Sequence, residues 1–164
     1  MKSAKPVSTT DKSHLQHGMK SILQTINSIA SIPASELELI YPVLQSKHVK
    51  KHEFLLREGE VCRNIYFSVN GFFRMFYVGY DGNEVNYRFT NENNFLVDFQ
   101  SFLLQKPSHF YWQAMQDADL FVLSHKDIHG IYAASAAWNN FGRLMAEHVY
   151  LQLNESHSVA SVRS

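Results

Sequence analysis

The residues of this chain best suited to bind a small anion lie in one segment, positions 94–112, which reads NFLVDFQSFLLQKPSHFYW. An acidic residue precedes an apolar run, and a stretch with basic and hydroxyl groups follows that run. The free backbone N–H groups at the start of a short helix, with such groups nearby, can hold an anionic ligand. The candidate ligand-pocket residues are Val97, Asp98, Gln100, Ser101, Lys106, Ser108 and His109.

The same segment has a second interpretation, in which it holds no ligand. Asp98 then caps a short helix by accepting hydrogen bonds from its free N–H groups. The large apolar side chains of the run fill the interior of the protein. Those side chains are Phe95, Phe99, Phe102 and Leu103. The sequence leaves both interpretations open.

The histidines and the single cysteine do not form a recognisable metal or catalytic pattern. His48 and His52 fall on a predicted strand, where four residues span about 13 Å, too far for one ion. His125 and His129 are four residues apart on a predicted helix, but a third ligand is missing. Cys62 is the only cysteine, so neither an intramolecular disulfide nor a thiolate cluster can form. We therefore predict no metal, no cofactor and no catalytic residue.

Composition excludes several classes of protein. The chain has 164 residues, with 15 basic and 15 acidic side chains, and is 45% hydrophobic. This balance argues against a dominant nucleic-acid surface, which needs clustered positive charge. No apolar run reaches the roughly 20 residues of a membrane span, and the N-terminus lacks the apolar core of a secretory signal. We expect a cytoplasmic protein with no membrane contact.

Short strands separated by turns dominate the middle of the chain. The runs NIYFSV, FFRMFYV and EVNYRF are separated by Asn70-Gly71 and Asp81-Gly82, which predicts an antiparallel meander with a hairpin at each dipeptide. HFYWQAM and ADLFVLS add two more strands. The fold class predicted from this spacing is mainly β with flanking helices, a barrel or jelly roll.

The N-terminal flank is predicted to contain two helices. Residues 1–18 are polar and without periodicity, and we predict a mobile arm there. Residues 19–30 carry apolar side chains at helical spacing, and Ser35 is a candidate cap for a second helix. The predicted buried positions are Ile22, Leu23, Ile26 and Ile29 in the first helix, and Leu37, Leu39, Ile40 and Val43 in the second.

The C-terminal flank begins with Ser124 and Asp127, three residues apart, a capping-box pattern that predicts a short helix. A long helix is predicted to follow from residue 136, with a polar tail that frays after residue 153. Its apolar stripe either packs on the barrel or pairs with a second copy of the chain. The dimer-helix candidates are Trp138, Phe141, Leu144, Met145, His148, Val149 and Leu151.

Over about residues 36–153, the chain resembles the cyclic-nucleotide-binding domain of the Crp/Fnr transcription regulators. The resemblance rests on FLLREGE followed by NIYFSVNGFFRMFYVGYDGNEV, which carry the turn glycines of that family in order and at its spacing. It implies a double-stranded β-helix, or jelly roll, between N-terminal helices and a long dimer helix. The implied division is an arm at 1–18, the jelly roll with its helices at 19–135, and the dimer helix and tail at 136–164.

The resemblance also identifies what the anion-binding segment would do. Members that bind cyclic AMP have a glycine and a glutamate at the start of the pocket helix and an arginine about ten residues later that pairs with the phosphate. Val97 takes the glycine's position, Asp98 the glutamate's, Ser108 the arginine's and His109 the next. The chain therefore resembles a divergent branch that lacks the phosphate-binding arginine.

The function implied is that of a non-enzymatic effector or sensor domain of a Crp/Fnr-like regulator, in a homodimer. It would respond to a small ligand or a partner, and would not bind cyclic AMP in the usual way. DNA binding is expected only if a helix-turn-helix exists beyond this chain, because none follows residue 153 here. Two alternatives stay open, a cupin-like metalloenzyme and a protein-interaction jelly roll that binds no ligand.

Overall fold

Two four-stranded antiparallel sheets form the body of the molecule. The computed structural model describes the backbone of residues 9–162 and the side chains of residues 13–152. The strands are β1 (Gln45–Val49), β2 (Phe54–Leu56), β3 (Asn64–Ser68), β4 (Phe73–Val78), β5 (Glu84–Thr90), β6 (Phe95–Leu96), β7 (Tyr111–Ala114) and β8 (Ala118–Ser124). Their order is β1-β8-β3-β6 in one sheet and β2-β7-β4-β5 in the other. The predicted mainly-β fold class with flanking helices is confirmed.

Helices lie before, within and after the sheets. They are α1 (Thr9–Ile29), α2 (Ala34–Leu37), α3 (Phe99–Leu104), α4 (His125–Ala134) and α5 (Ala136–Val162), with a 3₁₀ turn at Glu38–Ile40. Ile22 and Ile26 of α1 are fully buried, as the helical spacing predicts. No helix in residues 9–162 combines the length and apolarity needed to cross a membrane.

The ends of three helices differ from the prediction. Residues 9–18 of the predicted arm are helical, while residues 1–8 lie outside the described part. The cap of α2 is Pro33 and not Ser35, since proline fixes the backbone before the first turn. The backbone of α5 stays helical through residue 162, where the prediction had a frayed tail.

The turn at Asn70-Gly71 is not a hairpin, which corrects the predicted meander. β3 pairs with β6 and β8, whereas β4 pairs with β5 and β7, so the dipeptide carries the chain from one sheet to the other. Asn70 Nδ2 donates to Asp119 Oδ2 at 2.9 Å, and Asp119 N donates to Asn70 Oδ1 at 2.8 Å. Asp81-Gly82 does lie in the turn joining paired strands β4 and β5.

Gly71 is required at this crossing because of both its backbone and its surroundings. Its φ is 102°, and an added Cβ would lie 2.5 Å from the Ala118 Cβ. Gly71→Ala is expected to lower the free energy of unfolding by about 2–3 kcal/mol. Gly82→Ala is the control, since Gly82 has a similar φ of 81° but no atom within 4 Å of its added Cβ. Equal losses in urea denaturation would contradict a role for the Ala118 contact.

The core fills the space between the sheets and continues under α1, α4 and α5. Its largest fully buried apolar side chains are Trp138, Phe67, Phe73, Phe76, Ile22, Ile26, Ile40, Leu96, Leu120, Ile128 and Val49. Ser124 caps α4 by accepting from Asp127 N at 3.0 Å, which confirms the capping box. Leu39 is 38% exposed, so the predicted buried face of the second helix is wrong at that position.

Candidate functional site

A cavity of about 380 Å³ lies where α3 meets the chain that enters β7. The lining residues are Asp98, Gln100, Ser101, Leu104, Lys106, Pro107, Ser108, His109 and Phe110. Its volume is within the roughly 300–1,000 Å³ of small-molecule sites. The cavity therefore brings together six of the seven predicted pocket residues.

The cavity's shape depends on how α3 begins and ends. Asp98 caps the helix by accepting from Ser101 N at 3.3 Å. Gln105 ends it in the left-handed conformation, with φ 49°. The Gln105 side chain then donates to Phe102 O at 2.7 Å and to Cys62 O at 3.1 Å. The first bond supplies a partner for a carbonyl group at the end of this very short helix, and the second joins the helix end to the chain before β3.

A buried hydrogen bond joins Asp98 to Ser108 inside the cavity. Ser108 Oγ donates to Asp98 Oδ2 at 2.5 Å, and the two residues are only 2% and 6% exposed. Phe110 N donates to Ser108 Oγ at 2.9 Å. The resemblance assigns Asp98 to ribose recognition and Ser108 to phosphate recognition. In this structure the two side chains are instead hydrogen-bonded to each other. This arrangement confirms the capping role of Asp98 without excluding a ligand.

Backbone pairing fixes Ser108 in this position. Ser108 N donates to Glu60 O at 2.8 Å, and Gly59 N donates to Ser108 O at 2.8 Å. Ser101, which is 4% exposed, accepts from Cys62 N at 2.9 Å and donates to Lys106 O at 2.5 Å. Ser101 is therefore a link between α3 and its neighbouring loops.

The basic and amide side chains near the cavity are at its rim. Lys106 is exposed, and His109 and Gln100 are also on the exposed side. Among the described lining residues, no arginine and no buried lysine faces Asp98. An anion deep in this cavity would have no guanidinium to pair with.

The observed lining lacks the predicted Val97 and includes three residues that were not predicted, Leu104, Pro107 and Phe110. Val97 lies in a separate groove beside α5, because successive residues of an extended chain point to opposite sides. Phe110 lines the cavity, and its ring is 5.1 Å from that of Tyr87 and 6.0 Å from that of Tyr77. Ser108 and Phe110 are two residues apart just before a strand. This spacing could have predicted that their side chains lie on the same face of the chain.

The stripe of α5 divides between the chain's own core and solvent. Trp138, Phe141 and Met145 are buried, which corrects their assignment to a dimer surface. Leu144 and Val149 are half-buried, while His148 and Leu151 are exposed. The buried set is part of the hydrophobic core, and Trp138 Nε1 donates to Glu36 O at 2.7 Å, which links α5 to α2. Of the seven candidates, the second set is the one available to a partner.

The histidines occupy separate structural positions. His48 Nδ1 lies 2.8 Å from Asp119 Oδ1, whereas His52 is outside β1 with φ 73°, so the two do not share a strand as predicted. Burial acts to raise the Asp119 pKa, but hydrogen bonds from His48 and Asn70 outweigh it, and the pKa is lowered. In the described part of the chain, no cluster of three or more His, Cys, Asp or Glu could hold a metal ion.

The imidazole rings of His125 and His129 stack with their centroids 4.0 Å apart. His129 Nδ1 lies 2.8 Å from His125 O, so this nitrogen is engaged with the backbone of the same helix. Burial, and to a smaller extent the neighbouring His129, lowers the pKa of His125. The two histidines therefore contact each other along one face of α4.

Cys62 is buried behind the cavity, at 4% exposure. Burial raises the pKa of its thiol to about 11, and Sγ contacts Asn64 O at 3.4 Å. At pH 8 we expect a thiol-disulfide reagent to react roughly 10²-fold more slowly than with a free cysteine, because the thiolate is scarce. Reaction at the rate of the urea-unfolded chain would contradict this.

Comparison with known proteins gives one family match and several structural matches. The model of the cyclic nucleotide-binding domain family matches residues 46–135, whereas no curated protein sequence matches significantly. A cyclic nucleotide-binding domain from Methylobacillus flagellatus KT has a TM-score of 0.79 at 14% identity, covering 93% of this chain and 86% of that one.

Two bacterial regulators have similar structures. The catabolite activator protein of Thermus thermophilus has a TM-score of 0.68 at 15% identity, over 80% of this chain and 60% of that one. The sensor domain of the transcriptional regulator DNR from Pseudomonas aeruginosa has a TM-score of 0.58 at 17% identity, over 90% of each chain. The chain thus spans about three fifths of the Thermus protein, and these similarities establish the fold.

Proposed function

Because the chain belongs to the cyclic nucleotide-binding domain family, we propose that it is the non-enzymatic, cytoplasmic effector domain of a Crp/Fnr-type regulator whose pocket no longer takes a cyclic nucleotide. The pocket instead responds to another small ligand or to a partner. The similarity to the DNR sensor domain and to the catabolite activator protein supports the regulatory role. The residues of the pocket support its divergence from cyclic-nucleotide binding.

The observation that carries the proposal is the buried hydrogen bond from Ser108 to Asp98. A cyclic phosphodiester carries a negative charge that needs a paired cation when it is removed from water. The arginine position holds a hydroxyl that is already used, and the neighbouring group is a carboxylate. A phosphate here would meet like charge, and burying an unpaired charge costs several kcal/mol.

Lys106 does not replace the missing arginine in this arrangement. Its side chain is exposed, and its carbonyl is held by Ser101 Oγ at 2.5 Å. An ammonium is also a point charge on a flexible stem, without the planar fork that holds two phosphate oxygens. The rim can attract an anion but has no fixed geometry for it.

Dimerisation through the exposed side of α5 is the second part of the proposal. Tyr150 and Leu151 are 65% and 60% exposed, and half-buried Leu144, seven residues before Leu151, lies on the same face of α5 as Leu151. Apolar side chains on a long helix favour an isologous contact with a second copy. Light scattering after gel filtration is expected to give twice the mass of one chain. The Leu151→Lys variant is expected to have a measured mass closer to that of a single chain.

Restoration of the family's pocket residues tests the proposal directly. The variant Val97→Gly, Asp98→Glu, Ser108→Arg is expected to gain thermal stability with cyclic AMP, whereas the wild type is expected to show no shift. A ligand at 100 times its Kd adds about 2.7 kcal/mol, which a thermal melt resolves. A cyclic AMP shift in the wild type would rule out the proposed divergence. Variant Val97→Gly, Asp98→Glu alone is the matched control, because it lacks the added arginine.

The alternative is a protein-interaction domain with a closed pocket, and the filled hydrogen bonds of Asp98 favour it. The 380 Å³ cavity favours a ligand. Two results together would support the alternative. No small molecule of any charge class stabilises the wild-type protein, and substitution of the exposed Leu104 changes its binding to a partner.

A further inference from the structure

The cavity beside α3 contains a buried carboxylate without a counter-ion. Asp98 lines this cavity and is 6% exposed. In the part of the chain that the structure describes, its carboxylate forms no ion pair. Because an ionised carboxylate removed from water is stabilised by a paired cation, the inner wall of the cavity favours a positively charged ligand.

The hydrogen bonds of Asp98 leave room for a further donor. Oδ1 accepts from Ser101 N at 3.3 Å, and Oδ2 accepts from Ser108 Oγ at 2.5 Å. A carboxylate has about four acceptor sites, so these bonds do not use its full capacity. Both donors are also neutral, and they leave the negative charge of the carboxylate uncompensated. The group that complements Asp98 is therefore an N–H donor that carries a positive charge.

Apolar and aromatic side chains surround the opening of the cavity. Phe110 lines it, as does Leu104, which is 56% exposed. The ring of Phe110 is 5.1 Å from that of Tyr87 and 6.0 Å from that of Tyr77, and these tyrosines are 40% and 37% exposed. Aromatic faces attract organic cations and also pack against apolar groups. The opening thus suits the non-polar part of a cationic ligand.

Lys106 and His109 are the groups that oppose a cation at this cavity. Both side chains are exposed at the rim, where water and salt screen their charges. The carboxylate of Asp98 is largely removed from water, so its interaction with a charge inside the cavity is stronger. The ligand that gains most is one whose cationic group reaches past the rim to the inner wall.

We propose that the cavity beside α3 takes a small organic cation, a primary ammonium on a short apolar or aromatic body. The ammonium donates to Asp98, and the body lies against Phe110 and Leu104. The ligand class rests on the proposed function, because it concerns the same pocket. It reverses the ligand charge that the resemblance to cyclic-nucleotide-binding domains implies.

Probes that share a phenyl body and differ in the head group test this ligand class by calorimetry. Phenethylamine is expected to bind saturably, with one site per chain and roughly tenfold or more tightly than phenethyl alcohol. Hydrocinnamate, the anion, is expected not to bind. Trimethylphenethylammonium keeps the charge but has no N–H, so its affinity is expected to lie between those of the amine and the alcohol. Absence of amine binding, or equal affinities for the amine and either ion, overturns the proposal.

Cyclic AMP in the same titrations separates this proposal from the proposed function. Binding of cyclic AMP by the wild-type protein would contradict the proposed function, and the ligand class with it. If neither cyclic AMP nor phenethylamine binds, the ligand class alone is wrong.

Substitutions assign the charge selectivity to Asp98. Asp98→Asn keeps a capping oxygen for α3 but removes the charge, so it is expected to weaken phenethylamine binding roughly tenfold or more without changing that of phenethyl alcohol. Glu92→Gln is the matched control, since Glu92 is exposed and lies outside the cavity lining. Lys106→Gln removes an opposing charge and is expected to tighten phenethylamine binding about two- to threefold at low salt; it gives the result where Asp98→Asn does not fold. Unchanged binding in both variants overturns the proposal.

Discussion

Trp138→Ala is expected to lower the free energy of unfolding by about 3–5 kcal/mol, the range for truncating a large buried aromatic side chain. Trp138 is 0% exposed, and its ring is 5.4 Å from that of Phe141. Its Nε1 donates to Glu36 O at 2.7 Å, and its backbone N donates to Ser135 Oγ at 3.2 Å. The change therefore empties the junction of α2, α4 and α5 and leaves a carbonyl unpaired.

Trp138→Phe is the control for this prediction. Phenylalanine keeps most of the ring but not the N–H, so the loss is expected to be about 1–3 kcal/mol, chiefly from the unpaired Glu36 carbonyl. Urea denaturation followed by circular dichroism measures both variants. A loss below about 1 kcal/mol for Trp138→Ala, where truncation of a large buried aromatic side chain costs at least roughly 3 kcal/mol, would show that α5 is not held by this side chain.

Asp98→Ala is expected to lower the free energy of unfolding by about 1.5–5 kcal/mol, as the sum of two losses. The helix α3 loses its cap, worth about 0.5–2 kcal/mol, and the buried Ser108 hydroxyl loses its acceptor, worth about 1–3 kcal/mol. Asp98 is 6% exposed and Ser108 is 2% exposed, so both groups are largely removed from bulk water. The measurement is urea denaturation at neutral pH.

A double-mutant cycle separates these two losses. Ser108→Ala alone leaves the Asp98 carboxylate without its hydroxyl donor, while Asp98→Ala with Ser108→Ala removes both groups. The double variant is expected to lose less than the sum of the single variants, because the second change removes a group already unpaired. Strict additivity would mean that the Ser108 hydroxyl and the Asp98 carboxylate do not interact in solution.

Strong local signals made much of the fold predictable. Ile22 and Ile26 share a face by helical spacing, Ser124 and Asp127 form a capping box, and Asp81-Gly82 gives the β4–β5 turn. The pocket segment was also predictable, since Asp98 and Ser108 are placed by the family's turn glycines and by helix capping. Each of these features depends on residues close in sequence.

The wrong predictions depended on contacts distant in sequence. Asn70-Gly71 has the composition of a hairpin, yet Asp119, 49 residues away, holds the asparagine, and β3 and β4 join different sheets. Trp138 is on the apolar stripe like Leu151, but it faces inward, with its Nε1 bonded to Glu36 O, which is 102 residues away in the sequence. Residues 9–18 lack apolar periodicity, yet Gly18 is buried on α1, and an added Cβ there would lie 2.8 Å from Val69.

The central claim is that the hydroxyl at position 108 and the carboxylate at position 98 occupy each other where a cyclic phosphate would need a cation. A crystal structure of the wild-type protein grown with millimolar cyclic AMP tests this most directly. We expect Ser108 Oγ to remain on Asp98 Oδ2, as at 2.5 Å here, with no nucleotide beside α3. A nucleotide there, with its phosphate oxygens bound by the amides of α3 and by Lys106, would contradict the account.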